Sequence, residues 1–177
     1  ETARTAGMRR LRERLRQFRS GRPRPHRDSK ILTAWNGLLL TALALGYRTL
    51  GDERYLQAAA DAAVWIKEHL WKDQVLLRRH CDGESRHSGT SADYAFLIQG
   101  LISLYEADFD SRWLLWAREL QRELDASFWN SGSGGYFTAA ASEQGLIVRK
   151  IDRNDGAIPS PNSVAYGNLL RLSQYFL

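Results

Sequence analysis

A single cysteine, Cys81, stands among 177 residues. It can form neither an internal disulfide nor a CxxC pair, which excludes a disulfide framework and leaves no dithiol redox chemistry in this chain. A reducing, cytoplasmic setting is the simpler expectation. No apolar run approaches the roughly 18 residues of a membrane-spanning helix, so no membrane partner is expected. The four histidines, His26, His69, His80 and His87, show no HExxH or other metal-ligand spacing. Walker, GxSxG and GxGxxG signatures are also missing. Neither a metal nor a cofactor is expected.

What is present begins with charge. The net charge of +5 hides an asymmetry, because residues 1–27 hold ten arginines against Glu1 and Glu13 and so carry +8. The other 150 residues hold 15 basic and 18 acidic groups, a balance of −3. Basic character confined to one arm argues against nucleic acid as the partner of the body. Within that arm, Met8, Leu11, Leu15 and Phe18 form an apolar stripe at helical spacing. Thr2 to Arg19 therefore reads as a helix, followed by the cationic linker SGRPRPHRDS. Residues 1–27 are taken as helix and linker, and 28–177 as the folded body.

Displacing the chain against itself by 58 residues aligns Leu43 with Leu101, Tyr47 with Tyr105, Asp52 with Asp110, Arg54 with Arg112, Leu56 with Leu114 and Trp71 with Trp129. Each unit reads as a helix, a turn at Gly51-Asp52 or Phe109-Asp110, a second helix and a β-prone segment. Those segments, Val75 to Gly89 and Gly134 to Ile151, are each expected to be a β-hairpin or a long ordered loop. A third unit opens at Ser160-Pro161, a good N-cap followed by a good first helical residue, and its helix is expected to run to the chain end. Six helices result.

A two-helix repeat of this length excludes tetratricopeptide arrays, whose period is about 34 residues. It points to a solenoid or closed ring of helical hairpins. A ring of six hairpins needs about twice this chain, by the same stacking logic. The expected fold is therefore all-α with short β-hairpins, a partial (α/α) toroid of six-hairpin glycosidase type. The start at Glu1 and the stop inside an apolar pattern lead us to expect a piece of a longer protein, whose bare ring edges would pack on the missing half or on another copy.

Polar groups collect near the starts of the first helix of each unit. Asp28, Ser29 and Lys30 precede Trp35 and Asn36; Ser91, Asp93 and Tyr94 open the second unit; Asp155, Ser160, Asn162 and Ser163 open the third. In a ring of hairpins these ends gather at one mouth. Asp28, Ser29, Ser91 and Ser160 also suit N-caps, and Asp93 suits a first turn. Capping leaves Trp35-Asn36-Gly37 unexplained. A tryptophan face beside an amide matches the C–H face and hydroxyl edge of a sugar, and the glycine permits a close backbone approach. Tight helix packing is the competing explanation.

The stretches RPRPHRDSKILTAWNGLLLTALA, SADYAFLIQGLISLYEAD, WLLWARELQRELDASFW, GGYF and DGAIPSPNSVAYGNLLRL resemble, in order and spacing, the C-terminal helical region of the spermatogenesis-associated protein 20 family. The resemblance implies an N-terminal thioredoxin-like domain followed by a six-hairpin toroid similar to sugar 2-epimerases. The family's D-x-K-x-L-T-x-W-N-G-L pattern falls on Asp28, Lys30, Leu32, Thr33, Trp35, Asn36, Gly37 and Leu38. Its D-Y-A pattern falls on Asp93, Tyr94 and Ala95. Its D-G-A-x-P-S-x-N-S pattern falls on Asp155, Gly156, Ala157, Pro159, Ser160, Asn162 and Ser163.

The resulting expectation is a carbohydrate ligand at a mouth formed by Asp28, Lys30, Trp35, Asn36, Tyr94, Asn162 and Ser163. If the chain is an enzyme, a glycosidase- or epimerase-like one, Asp93 and Asp155 are the acid–base candidates, since carboxylates in unequal environments divide those roles. Two alternatives stay open: a non-catalytic scaffold completing a ring, and nucleic-acid binding through the arginine-rich arm.

Overall fold

The computed structural model describes residues 3–176, with side chains from residue 5 onward. Its elements are α1 (Ala3–Ser20), β1 (Ile31–Leu32), α2 (Thr33–Leu50), α3 (Glu53–Leu70), β2 (Trp71–Lys72), β3 (Val75–Cys81), β4 (Glu84–Ser88), α4 (Ser91–Asp108), α5 (Ser111–Phe128) and α6 (Pro161–Ser173). Six helices are thus present among the described residues, as the repeat requires. The expected starting residue of the first, Thr2, lies outside that range. The last helix is shorter than expected, ending at Ser173 in a turn whose Phe176 ring lies against Arg118 of α5.

The 58-residue displacement is physical. Gly51 closes α2 in the left-handed conformation, φ 67°, and donates its N–H to Tyr47 O at 2.8 Å. Phe109 closes α4 in the same way, φ 59°, with its N–H on Tyr105 O at 2.7 Å. The next residues, Asp52 and Asp110, cap α3 and α5 by accepting from the N–H of Arg54 and Arg112, each at 3.0 Å. One turn design therefore serves both hairpins.

The helices that open the three units, α2, α4 and α6, lie side by side as an inner layer, and α3 and α5 back them. Because α4 packs between α2, α5 and α6, it is apolar on all sides and carries most of the core: Tyr94 to Ile98 and Gly100 to Leu104 are all buried. Trp113, Trp116 and Phe128 of α5 close the back of the same cluster.

The contact of α2 with α4 needs two glycines. A Cβ on Gly37 would stand 2.4 Å from Phe96 C and 2.5 Å from Leu97 N, and one on Gly100 would stand 2.7 Å from Gly37 O. The two backbones touch, and no side chain fits between them. That accounts for the glycine of Trp35-Asn36-Gly37 by packing.

The segment from Val75 to Gly89 is the expected hairpin. β3 and β4 pair antiparallel in the register Arg79↔Arg86 and His80↔Ser85, and β3 also receives the short strands β1 and β2. Its turn, Asp82-Gly83, has both φ values positive, 52° and 78°, as a tight two-residue hairpin requires. The segment from Gly134 to Ile151 is instead a long ordered loop with two isolated bridges, Trp129↔Tyr136 and Phe137↔Ile151. Arg149 anchors it, donating to Ala139 O at 2.8 Å and to Ser127 O at 3.1 Å while lying over the Phe137 ring.

α1 stands apart from this body, with Met8, Leu11, Leu15 and Phe18 exposed. Apolar side chains are also bare at both ends of the inner layer: Leu39 and Leu45 on α2, Tyr166 and Leu170 on α6. Among the described residues no helix is long and apolar enough to cross a membrane.

Candidate functional site at the inner-helix starts

Both connecting segments that lead into α4 and α6 return the chain to the end of the inner layer where those helices begin. The polar residues singled out in the sequence accordingly lie at helix starts, but their side chains divide into exposed and buried sets.

Asp93 is 2% exposed. Its Oδ2 accepts from the N–H and the hydroxyl of Thr90, each at 2.8 Å, and its Oδ1 accepts from Ala34 N–H of α2 at 3.0 Å. One carboxylate thus satisfies the starts of two inner helices. Burial pushes its pKa up and outweighs these bonds and the nearby Arg78 charge. The N-cap of α4 is Thr90, and Ser91, a cap candidate in the sequence, is its first helical residue with a buried hydroxyl that has no partner among the described residues. Asp28 and Ser29 do not cap α2 either, because that helix begins at Thr33 after Leu32.

Tyr94 and Asn162 also face inward. The Tyr94 hydroxyl accepts from Leu76 N–H at 3.0 Å and ties the hairpin to α4, and burial pushes its pKa up to about 12. Asn162 accepts from Tyr136 N–H at 2.7 Å and donates to Tyr136 O at 3.0 Å and Asp152 O at 2.7 Å. It holds the long loop against α6.

Trp35 in the first turn of α2 is 66% exposed. Beside it, Asn36 donates to Leu32 O at 2.8 Å. Asp155 is exposed and accepts from Ser160 N–H at 2.8 Å; that bond and one from Ser163 hold its carboxyl below the usual range. Ser160 caps α6 as expected, accepting from Ser163 N–H at 3.1 Å. Asp28 and Lys30 form an exposed ion pair at 3.0 Å, and the intervening Ser29 hydroxyl lies 3.4 Å from Asp82 in the hairpin turn. That pair belongs to the hairpin tip.

The two carboxylates named as acid–base candidates have opposite pKa shifts, Asp93 up through burial and Asp155 down through its hydrogen bonds. No hydrogen bond joins them among the described residues, and only Asp155 is open to solvent.

A cleft of about 540 Å³ opens between the hairpin and the long loop, lined among others by Arg78, His87, Ser88, Thr90, Glu143 and Leu146. Arg78 and Glu143 were not legible as site residues. The usable signal was their position in the segments that follow α3 and α5, which a ring of hairpins delivers to its mouth. His87 holds φ 63°, a left-handed backbone conformation uncommon for residues other than glycine. Thr90, on the cleft wall, and Ala34, next to Trp35, are bonded to the same Asp93 carboxylate. Among the described residues no group of three or more His, Cys, Asp or Glu could hold a metal ion.

No family model matches the chain. It is 44% identical over 171 residues to human spermatogenesis-associated protein 20, covering 90% of this chain and 22% of that protein. It is 38% identical over 175 residues to an uncharacterized protein of Caenorhabditis elegans, covering 94% of this chain and 24% of that one. Among solved structures, it resembles the cellobiose 2-epimerase of Bacillus thermoamylovorans with a TM-score of 0.68 at 20% identity, over 85% of this chain and 42% of that one. The GH76 alpha-mannanase of Bacteroides thetaiotaomicron gives 0.65 at 17% identity, over 88% and 39%. These likenesses show the fold, a partial (α/α) toroid of the class formed by those carbohydrate-active enzymes. The chain spans about 22% of the length of its mammalian relatives. Over the segment that it shares with them, the chain belongs to the spermatogenesis-associated protein 20 family.

Proposed function

We propose that this chain forms part of a carbohydrate-handling toroid and takes a sugar at the mouth where α2, α4 and α6 begin. The observation that carries the reading is Trp35, a large aromatic left 66% exposed in the first turn of an inner helix whose backbone is locked against α4. A rigid indole face stacks on sugar C–H groups at little entropic cost. The cellobiose 2-epimerase and alpha-mannanase of like fold act on saccharides, in keeping with that ligand class.

In this reading Asp155 is the carboxylate that meets ligand, held ionised by its helix-start bonds and so suited to accept a hydrogen bond from a sugar hydroxyl. Asp93 acts through position, since it fixes Thr90 and Ala34 on either side. Proton NMR of mono- and oligosaccharides in D₂O tests for turnover. Loss of a C2 proton marks epimerisation and new anomeric signals mark cleavage, each abolished by Asp155→Asn; spectra unchanged with wild-type protein leave a binding site without chemistry.

The exposed apolar side chains on α2 and α6 favour a second, compatible role as a ring segment that packs on further toroid hairpins. The isolated chain is then expected to self-associate with rising concentration in analytical ultracentrifugation. A monomer throughout the range counts against packing of these faces on another copy.

A further inference from the structure

The cleft beside the start of α4 has a composition that Trp35 and the helix ends do not explain. Arg78 and His87 face it from the hairpin, and Glu143 faces it from the long loop. Among the described residues none of these three side chains makes a hydrogen bond or ion pair. The guanidinium, imidazole and carboxylate are exposed and not paired with one another around this open space of about 540 Å³. Among the residues that line the cleft, Arg78 carries the fixed positive charge, and part of its field falls on the buried Asp93 carboxylate.

A guanidinium fork matches a carboxylate or phosphate with two parallel hydrogen bonds, which an ammonium or a lone hydroxyl cannot do. A simple anion would find Glu143 repulsive. A molecule with an oxyanion at one end and hydroxyl donors at the other satisfies both walls, with Ser88 and Thr90 as further hydroxyl partners and Leu146 as an apolar patch. Resting on the reading of the mouth as a sugar site, we propose that this cleft is a subsite for the oxyanion of an acidic saccharide, its charged group on Arg78 and His87 and its hydroxyls toward Glu143. Beneath the subsite, the buried Asp93 bonds Thr90 of the cleft wall and Ala34, the neighbour of Trp35.

The test is isothermal titration calorimetry of the 177-residue chain with glucuronate, glucose 6-phosphate, glucose and inorganic phosphate. At least one acidic sugar is expected to bind more tightly than glucose, and comparison of glucuronate with glucose 6-phosphate identifies carboxylate or phosphate as the preferred group. Arg78→Gln should weaken that acidic sugar roughly ten-fold or more, the loss of a charge-assisted hydrogen bond, and leave glucose unchanged. Glu143→Gln should weaken glucose and glucuronate alike. Arg122→Gln removes an equal charge from α5 outside the cleft and should change nothing. Equal affinity for acidic and neutral sugars, or equal losses in Arg78→Gln and Arg122→Gln, overturns the subsite and leaves the sugar reading standing. Inorganic phosphate binding as tightly as glucose 6-phosphate overturns the saccharide part. Absence of binding by every sugar overturns both readings together.

Discussion

Alanine at Gly37 is expected to destabilise the chain by about 3 kcal/mol or more, the upper end of what overpacking a core costs. The added methyl would sit 2.4–2.6 Å from backbone atoms of Phe96 and Leu97. Backbone cannot rotate aside as a side chain can, so α2 must move away from α4 along its length. Gly46 provides the internal comparison. It lies in the same helix, but its added methyl meets only the Tyr55 ring at 3.6 Å, an ordinary contact. Gly46→Ala should therefore gain up to about 1 kcal/mol from helix propensity. Urea denaturation of the two variants checks this. Equal midpoints would mean that α2 and α4 do not meet at Gly37.

The second large effect is expected at Asp93. Asp93→Ala removes the acceptor for two backbone N–H groups at two helix starts, and a loss of about 2–4 kcal/mol follows from leaving them unpaired. Asp93→Asn should fall between, because its amide keeps one acceptor and turns an N–H₂ toward Thr90. The pH dependence separates this carboxylate from the others. Burial raises its pKa in the folded state, so its contribution is fully present below the unfolded value and is lost as pH rises through the folded one. Asp28, Asp52, Glu84 and Asp155 are shifted down by their hydrogen bonds and act in the opposite sense, their contributions being lost as pH falls. Wild type should therefore gain stability relative to Asp93→Asn as pH is lowered from 7 toward 4. A constant difference across that range would place Asp93 in contact with water.

The hairpin architecture was legible because it is written as a repeat. Arg48 and Glu106, 58 residues apart, even form an ion pair at 2.9 Å, so equivalent positions of successive inner helices lie side by side. The β3–β4 hairpin was legible from Asp82-Gly83, since few sequences tolerate two positive φ values in succession. The direction of the helix-start side chains was not. Asp93, Tyr94 and Asn162 stand where a mouth forms, yet whether a first-turn residue points to solvent or to the neighbouring helix depends on how the hairpins pack. Periodicity carries no such information for α4, which is apolar on every side. The cleft residues were hidden for another reason: Arg78, His87 and Glu143 meet only through a strand pairing and an irregular loop, and no short motif records that meeting.

Saturation-transfer difference NMR of this chain with short oligosaccharides, run beside Trp35→Ala, tests most directly whether the inner-helix starts form a sugar site. Transfer to ring C–H protons in wild type that disappears in Trp35→Ala, with both proteins equally folded, is the result predicted here. Transfer of equal strength in the two proteins, or none to any sugar in either, would contradict a carbohydrate site on the exposed face of Trp35.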